Sequence, residues 1–169
     1  MRAALDRLYD AAAYLAALFL AGTLLCVMLG IGSRLLNSFI PGTDAYAGYC
    51  MAAAGFLALA HTLKRGEHIR VTLVLEHVGV KAQRGLELWA LVAATILAAA
   101  LAYYSIRLAY QSWDFHDIST GNDATPLWIP QLTMALGTLV LFVAFVDELV
   151  LEWKGARLPK MPEEALHNE

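Results

Sequence analysis

Five histidines, two cysteines and fifteen carboxylates are the side chains of this chain that could ligate a metal, hold a haem or activate a nucleophile. Their placement serves none of those ends. A haem held by two histidines needs both at matched depth on facing helices, and of His61, His68, His77, His116 and His167 only His61 falls inside an apolar run. A solitary histidine near the end of such a run reads as an interfacial hydrogen-bonding group. Cys26 and Cys50 stand in different apolar runs with no C-x-x-C spacing. Thiol chemistry calls for paired or exposed sulfurs, so both read as small packing residues. There is no phosphate-binding loop, no H-E-x-x-H pair and no nucleophile elbow. The residues give no reason to expect an enzyme, a metal, a cofactor or a nucleic-acid partner.

The charged residues are segregated, and that pattern defines the elements. Apolar residues make up 59% of the 169 and charged residues 16%, against about 25% charged in an ordinary soluble domain. Ala11–Ser33, Ala45–Leu63, Leu88–Ile106 and Ala124–Val146 contain no Asp, Glu, Lys or Arg; Arg34, Asp44, Glu87, Arg107, Asp147 and Glu148 stand at their ends. The runs hold 23, 19, 19 and 23 residues, and a bilayer core of ~30 Å takes about 20 helical residues. Barrel strands would alternate over ~10 residues, and these runs do not. The expectation is an all-α membrane protein with four transmembrane helices, spans about 11–35, 44–64, 86–107 and 126–150. They form one domain over residues 1–155, followed by a polar tail over 156–169. The first run is longer than the ~7–15-residue core of a signal peptide, and Asp6 and Asp10 precede it; it is expected to stay in the mature chain.

Ten of the twelve basic residues lie in the first, third and fifth polar segments; Arg34 and Arg107 alone lie in the other two. Lys and Arg accumulate on the cytoplasmic side, so both termini are expected there. Between spans two and three, Val71, Val74, Leu75 and Val78 follow i, i+3, i+4, i+7. This predicts an amphipathic helix over about 67–82, lying in the cytoplasmic interface. Ile69, Val71, Leu73 and Leu75 also alternate like a strand, but a lone strand at a membrane surface leaves backbone groups unpaired. Lys64, Arg65, Arg70, Lys81 and Arg84 are candidate headgroup or interface anchors, beside the plainer reading as ordinary cytoplasmic-side charges.

Small residues mark candidate packing faces: Gly48, Ala52 and Gly55 in span two, and Ala90, Ala94, Ala98 and Ala102 in span three. Small side chains let helices approach closely in lipid. Packing within the bundle and docking of another subunit both account for the span-three stripe. The outer loop, about Leu108 to Pro126, carries Asp114, Asp117 and Asp123, a candidate contact for a soluble partner or simply a solvated acidic loop. Tyr103, Tyr104, Tyr110, Trp113 and Trp128 read as an aromatic belt. Pro41-Gly42 signals the first outer turn, and Asp44 is a candidate N-cap for span two. The in-span hydroxyls are expected to bond their own helices. Chains that carry substrate usually show broken helices, repeats and polar groups at mid-depth; here the spans are intact, so a transport pathway within this chain is not expected.

Two local motifs carry a resemblance. Gly66-Glu67-His68-Ile69-Arg70-Val71 directly follows span two, and Thr125-Pro126-Leu127-Trp128-Ile129-Pro130 enters the last span ahead of Gly137. With the length, the four spans and the in–in topology, the chain over about 5–155 resembles the small membrane subunit of TRAP transporters, the DctQ-like proteins. The resemblance implies residence in a bacterial or archaeal cytoplasmic membrane. It implies membrane lipids, a large integral membrane subunit and a periplasmic substrate-binding protein as partners, in sodium-coupled import of organic acids. The small subunit of that family is similar to a static scaffold bracing the large one, so no sodium or substrate site is carried over to this chain. The rivals are a stand-alone structural or assembly membrane protein, a small multidrug-type exporter and a haem-bearing membrane subunit. The exporter would need an acid inside its first span.

Overall fold

The structure is a computed structural model that describes residues 2–38, 40–65, 80–121 and 123–154, with side chains from 5 and from 84 onward in the first and third helices. Four helices account for most of them: α1 (Arg2–Leu35), α2 (Thr43–Arg65), α3 (Val80–Asp114) and α4 (Trp128–Trp153). Each is long and apolar enough to cross a membrane. The expected interfacial helix over 67–82 lies outside the described residues as far as residue 79; residues 80–82 open α3. The tail over 156–169 lies outside them as well. α1 runs unbroken from Arg2, so the segment before Ala11 continues the first helix. α3 runs seven residues past Arg107, into what reads in sequence as loop.

Short connections pair α1 with α2 and α3 with α4 as antiparallel hairpins. α2 then packs on α4, while α1 only brushes α4 and α3 relies on α4. The helices thus form a row, α1–α2–α4–α3. Of the apolar stretch in each helix, 11% is buried in α1 and in α3, against 33% in α2 and 28% in α4, which makes α2 and α4 the inner pair. Both start at the end formed by residues 36–42 and 115–127 (the loop end), so they run parallel.

Gly137 defines the α2–α4 crossing. A Cβ built on it would lie 2.6 Å from both the carbonyl carbon and the oxygen of Phe56, so the two backbones touch there. Around it, Ala135, Thr138, Leu141 and Ala144 of α4 and Ala53, Ala54, Leu57, Ala60 and Leu63 of α2 are buried. In lipid there is no hydrophobic drive between helices, and such close van der Waals contact supplies the association. On α3 the buried residues are Ala98, Ala102, Ser105, Ala109 and Ser112, a seam stepping four and three residues as in a coiled coil.

The hydroxyls inside the helices bond their own turns: Thr23 to the Phe19 carbonyl, Thr95 to Leu91, Ser105 to Leu101 and Thr138 to Met134, at 2.7–3.0 Å. That local bond spares each hydroxyl the cost of sitting unpaired in an apolar setting. α1 and α3 end alike. Ser38 and Asp117 donate back to the Ser33 and Ser112 carbonyls, and Asn37 and His116 to Arg34 and Trp113. Asn37 and His116 have φ of 50° and 55°, completing a Schellman motif at each helix. Asp44 lies in the first turn of α2 and pairs with Arg34 at 2.9 Å.

Candidate docking surfaces

The sequence-chosen residues of α2 and α3 separate by face. Gly48, Ala52 and Gly55 are exposed, and nothing approaches within 4 Å of a Cβ built at either glycine. With the exposed Met51 they form an outer face of an inner-pair helix, and α2 is the least apolar of the four. On α3, Ala98 and Ala102 are buried against α4, Ala94 is half-buried and Ala90 is exposed. The cause is geometric. At 3.6 residues per turn, a four-residue step advances ~40° around the helix, so a strict i+4 row winds ~120° over twelve residues. The contact seam instead continues from Ala102 through Ser105, Ala109 and Ser112.

The three acids at the loop end also differ: Asp114 closes α3, and Asp117 and Asp123 lie in the α3–α4 loop. Asp114 and Asp117 are exposed, whereas Asp123 is half-buried and engaged. Tyr49 donates to its Oδ2 at 3.1 Å and Ser119 to its Oδ1 at 2.8 Å. A hydrogen bond from Thr125 acts most strongly on the carboxyl, holding it at about 2 against an ordinary 3.8, with Ser119, its own backbone and Tyr49 adding to the effect. Thr125 lies 3.2 Å from the Tyr46 hydroxyl, and Tyr46 and Tyr49 meet edge to face at 6.2 Å. The loop is shaped to reach them: Ser119 N–H donates to Thr125, Leu127 N–H to Asp117, and Ile118 bridges Pro126. Beneath Asp123 lies Gly42, whose φ of 85° suits glycine and whose Cβ, if present, would stand 2.9 Å from that of Asp123. The α3–α4 loop is therefore latched onto α2 and the α1–α2 turn.

At the opposite end, the basic residues have separate fates. Lys64 pairs with Asp6 and sits 5.1 Å over the ring of Tyr9. Tyr9 is 1% exposed, packed with Ala60, Leu63, Leu141 and Ala144. His61 Nδ1 faces Asp10 at 3.8 Å, beyond hydrogen-bond reach. Arg65 and Arg84 are exposed, and Arg84 borders a hollow of about 160 Å³ with Leu88, Glu152 and Trp153. Arg70 lies outside the described residues; Lys81 is in the first turn of α3. Sequence reasoning missed the Asp123 latch and the Asp6–Lys64 pair, since nothing local marks which loop acid turns inward. Among the described residues, no group of three or more His, Cys, Asp or Glu could hold a metal ion.

The family model for Tripartite ATP-independent periplasmic transporters, DctQ component, fits residues 23–155 of this four-helix chain. The chain belongs to the DctQ family. It is thus a membrane component of a TRAP transporter, and family and helices together fit a multi-pass inner-membrane protein. No curated protein matches it significantly. The match spans α2, α3, α4 and the loop-end part of α1, so the exposed α2 face, the α3 seam and the Asp123 latch all lie within the DctQ region.

Proposed function

We propose that this DctQ-family chain is the scaffold subunit of a sodium-coupled importer of organic acids. It braces a large transport subunit in the membrane while a periplasmic binding protein delivers substrate. The observation that carries this reading is the open face of α2, where Gly48, Ala52 and Gly55 are exposed, with nothing within 4 Å of a Cβ built at either glycine, although among the described residues the helix belongs to the inner pair. Small residues facing outward serve lipid poorly and suit a second helix at close range. The uncharged middles of all four helices support a bracing role, since intramembrane ionisable groups mark substrate and ion paths. The lysine and arginine asymmetry supports cytoplasmic termini, with Lys64, Arg65, Arg70, Lys81 and Arg84 at the cytoplasmic headgroups. The loop end then faces the periplasm, where the exposed Asp114 and Asp117 are open to the binding protein.

The test is affinity purification of the tagged chain in mild detergent from its host, with mass spectrometry of what accompanies it. A stoichiometric, larger polytopic partner is the expected outcome. Recovery of the chain alone or as a self-oligomer would return it to the stand-alone structural reading.

A further inference from the structure

α1 and α2 are joined by a short turn, so residues equally far from that turn meet at the same depth. Cys26 lies nine residues before Leu35, the end of α1, and Cys50 seven residues after Thr43, the start of α2. The structure brings the two together. Cys50 Sγ sits 3.4 Å from the position a Cβ would take on Gly22. Gly22 and Cys26 are one turn apart on the same side of α1. The missing side chain at Gly22 leaves the space that the Cys50 sulfur fills, and the side chain of Cys26, one turn further on, leans back along α1 toward that same turn, as helical side chains do. Both thiols are free and half-buried. Packing alone asks for small residues here, and the neighbouring contacts supply alanine and glycine in plenty. Two thiols on facing helices at one level are a different chemical object, because they can be joined.

We propose that Cys26 and Cys50 are a modification site: a two-electron oxidant reaching the membrane converts them to an intramolecular disulfide that staples α1 to α2. The step balances simply. Both S–H bonds break and one S–S bond of ~2.05 Å forms. Two electrons pass to the oxidant and two protons to water or base. With copper(II)–phenanthroline as the oxidant, two copper(II) ions each accept one electron and become copper(I). A reductant such as a phosphine reverses the step. The staple falls where it has most effect, because α1 is an edge helix held mainly by α2.

The test uses the full chain in membranes of the expressing cell. Membranes are treated with copper–phenanthroline, denatured in detergent and labelled with a maleimide-polyethylene glycol that adds a visible mass to each free thiol. The expected result is an unlabelled monomer after oxidation and a doubly labelled one after phosphine treatment. The Cys26→Ser and Cys50→Ser variants should each take one label in both conditions, which separates a disulfide from over-oxidation of single sulfurs. Two labels on the oxidised wild type would overturn the proposal. So would a cross-linked dimer formed as readily by the single-cysteine variants, since the sulfurs would then face outward. A second readout is the thermal unfolding midpoint, expected to rise on oxidation and to return on reduction in the wild type alone.

Discussion

Asp123 is the residue whose state should be readable from outside. Its carboxyl is held at about 2, below the ordinary 3.8, so the folded state favours the ionised form. The stabilisation is therefore fully present above the ordinary value and is lost as pH falls through the folded one. We expect the difference in thermal midpoint between wild type and Asp123→Asn to be constant near neutrality and to shrink as pH drops from about 4 to about 2. A difference that is as large in strong acid as at neutral pH would sink the assignment. A second residue-scale expectation concerns backbone strain. His116 and Ala124 carry φ of 55° and 47°, and a left-handed conformation costs a residue with a Cβ roughly 1 kcal/mol or more. His116→Gly should raise stability by up to that amount, while Asn37→Gly should be nearly neutral, asparagine tolerating the region well. Paired melts of the two variants decide this. At this scale the sequence was only partly legible: three acids stood in one loop with nothing to distinguish them. Asp123 turns inward because the loop folds back over Gly42, a contact between positions far apart in the chain.

For the elements, the crossing at Gly137 gives the sharpest expectation. Alanine there must push the Phe56 backbone away, at a cost of about 1–3 kcal/mol for overpacking. Gly55→Ala, with open space around it, should stay within about 0.5 kcal/mol. Equal effects in detergent unfolding would mean that the two helices do not cross as described. The four long apolar helices and the self-bonding of Thr95 and Thr138 were legible, because composition and the demand for paired backbone groups in lipid dictate them. The depth at which α2 meets α4 was not, since glycine is common in membrane helices whether or not it marks a contact. Nor was the α3 seam: the conspicuous alanines at a four-residue spacing drew attention away from Ser105, Ala109 and Ser112, whose spacing follows the neighbour.

Taken whole, the described residues form a row of four helices with broad open faces, and the proposed bracing role rests on those faces being covered in the assembled transporter. Gly55→Leu should leave the isolated chain as stable as wild type yet cut recovery of a large partner in co-purification. Unchanged recovery would direct attention to α1 or α3 as the docking element. Ala98→Leu should instead damage the chain itself, since Ala98 is 4% exposed.

The 35 residues of α3 have a further consequence. At ~1.5 Å per residue the helix is about 52 Å long, and spanning a ~30 Å core by tilt alone would need roughly 55°, beyond the ~40° limit of observed tilts. Part of α3 must therefore stand clear of the hydrocarbon. Its uncharged run stops at Ile106, so Leu108–Asp114 rises about 10 Å beyond that level. This segment is a post. Tyr103 and Tyr104 stand at its foot, Tyr110 and Trp113 along its length, and the latched loop rides at its top. On the proposed orientation, this lifts Asp114 and Asp117 to a height at which a soluble protein would touch them without displacing lipid.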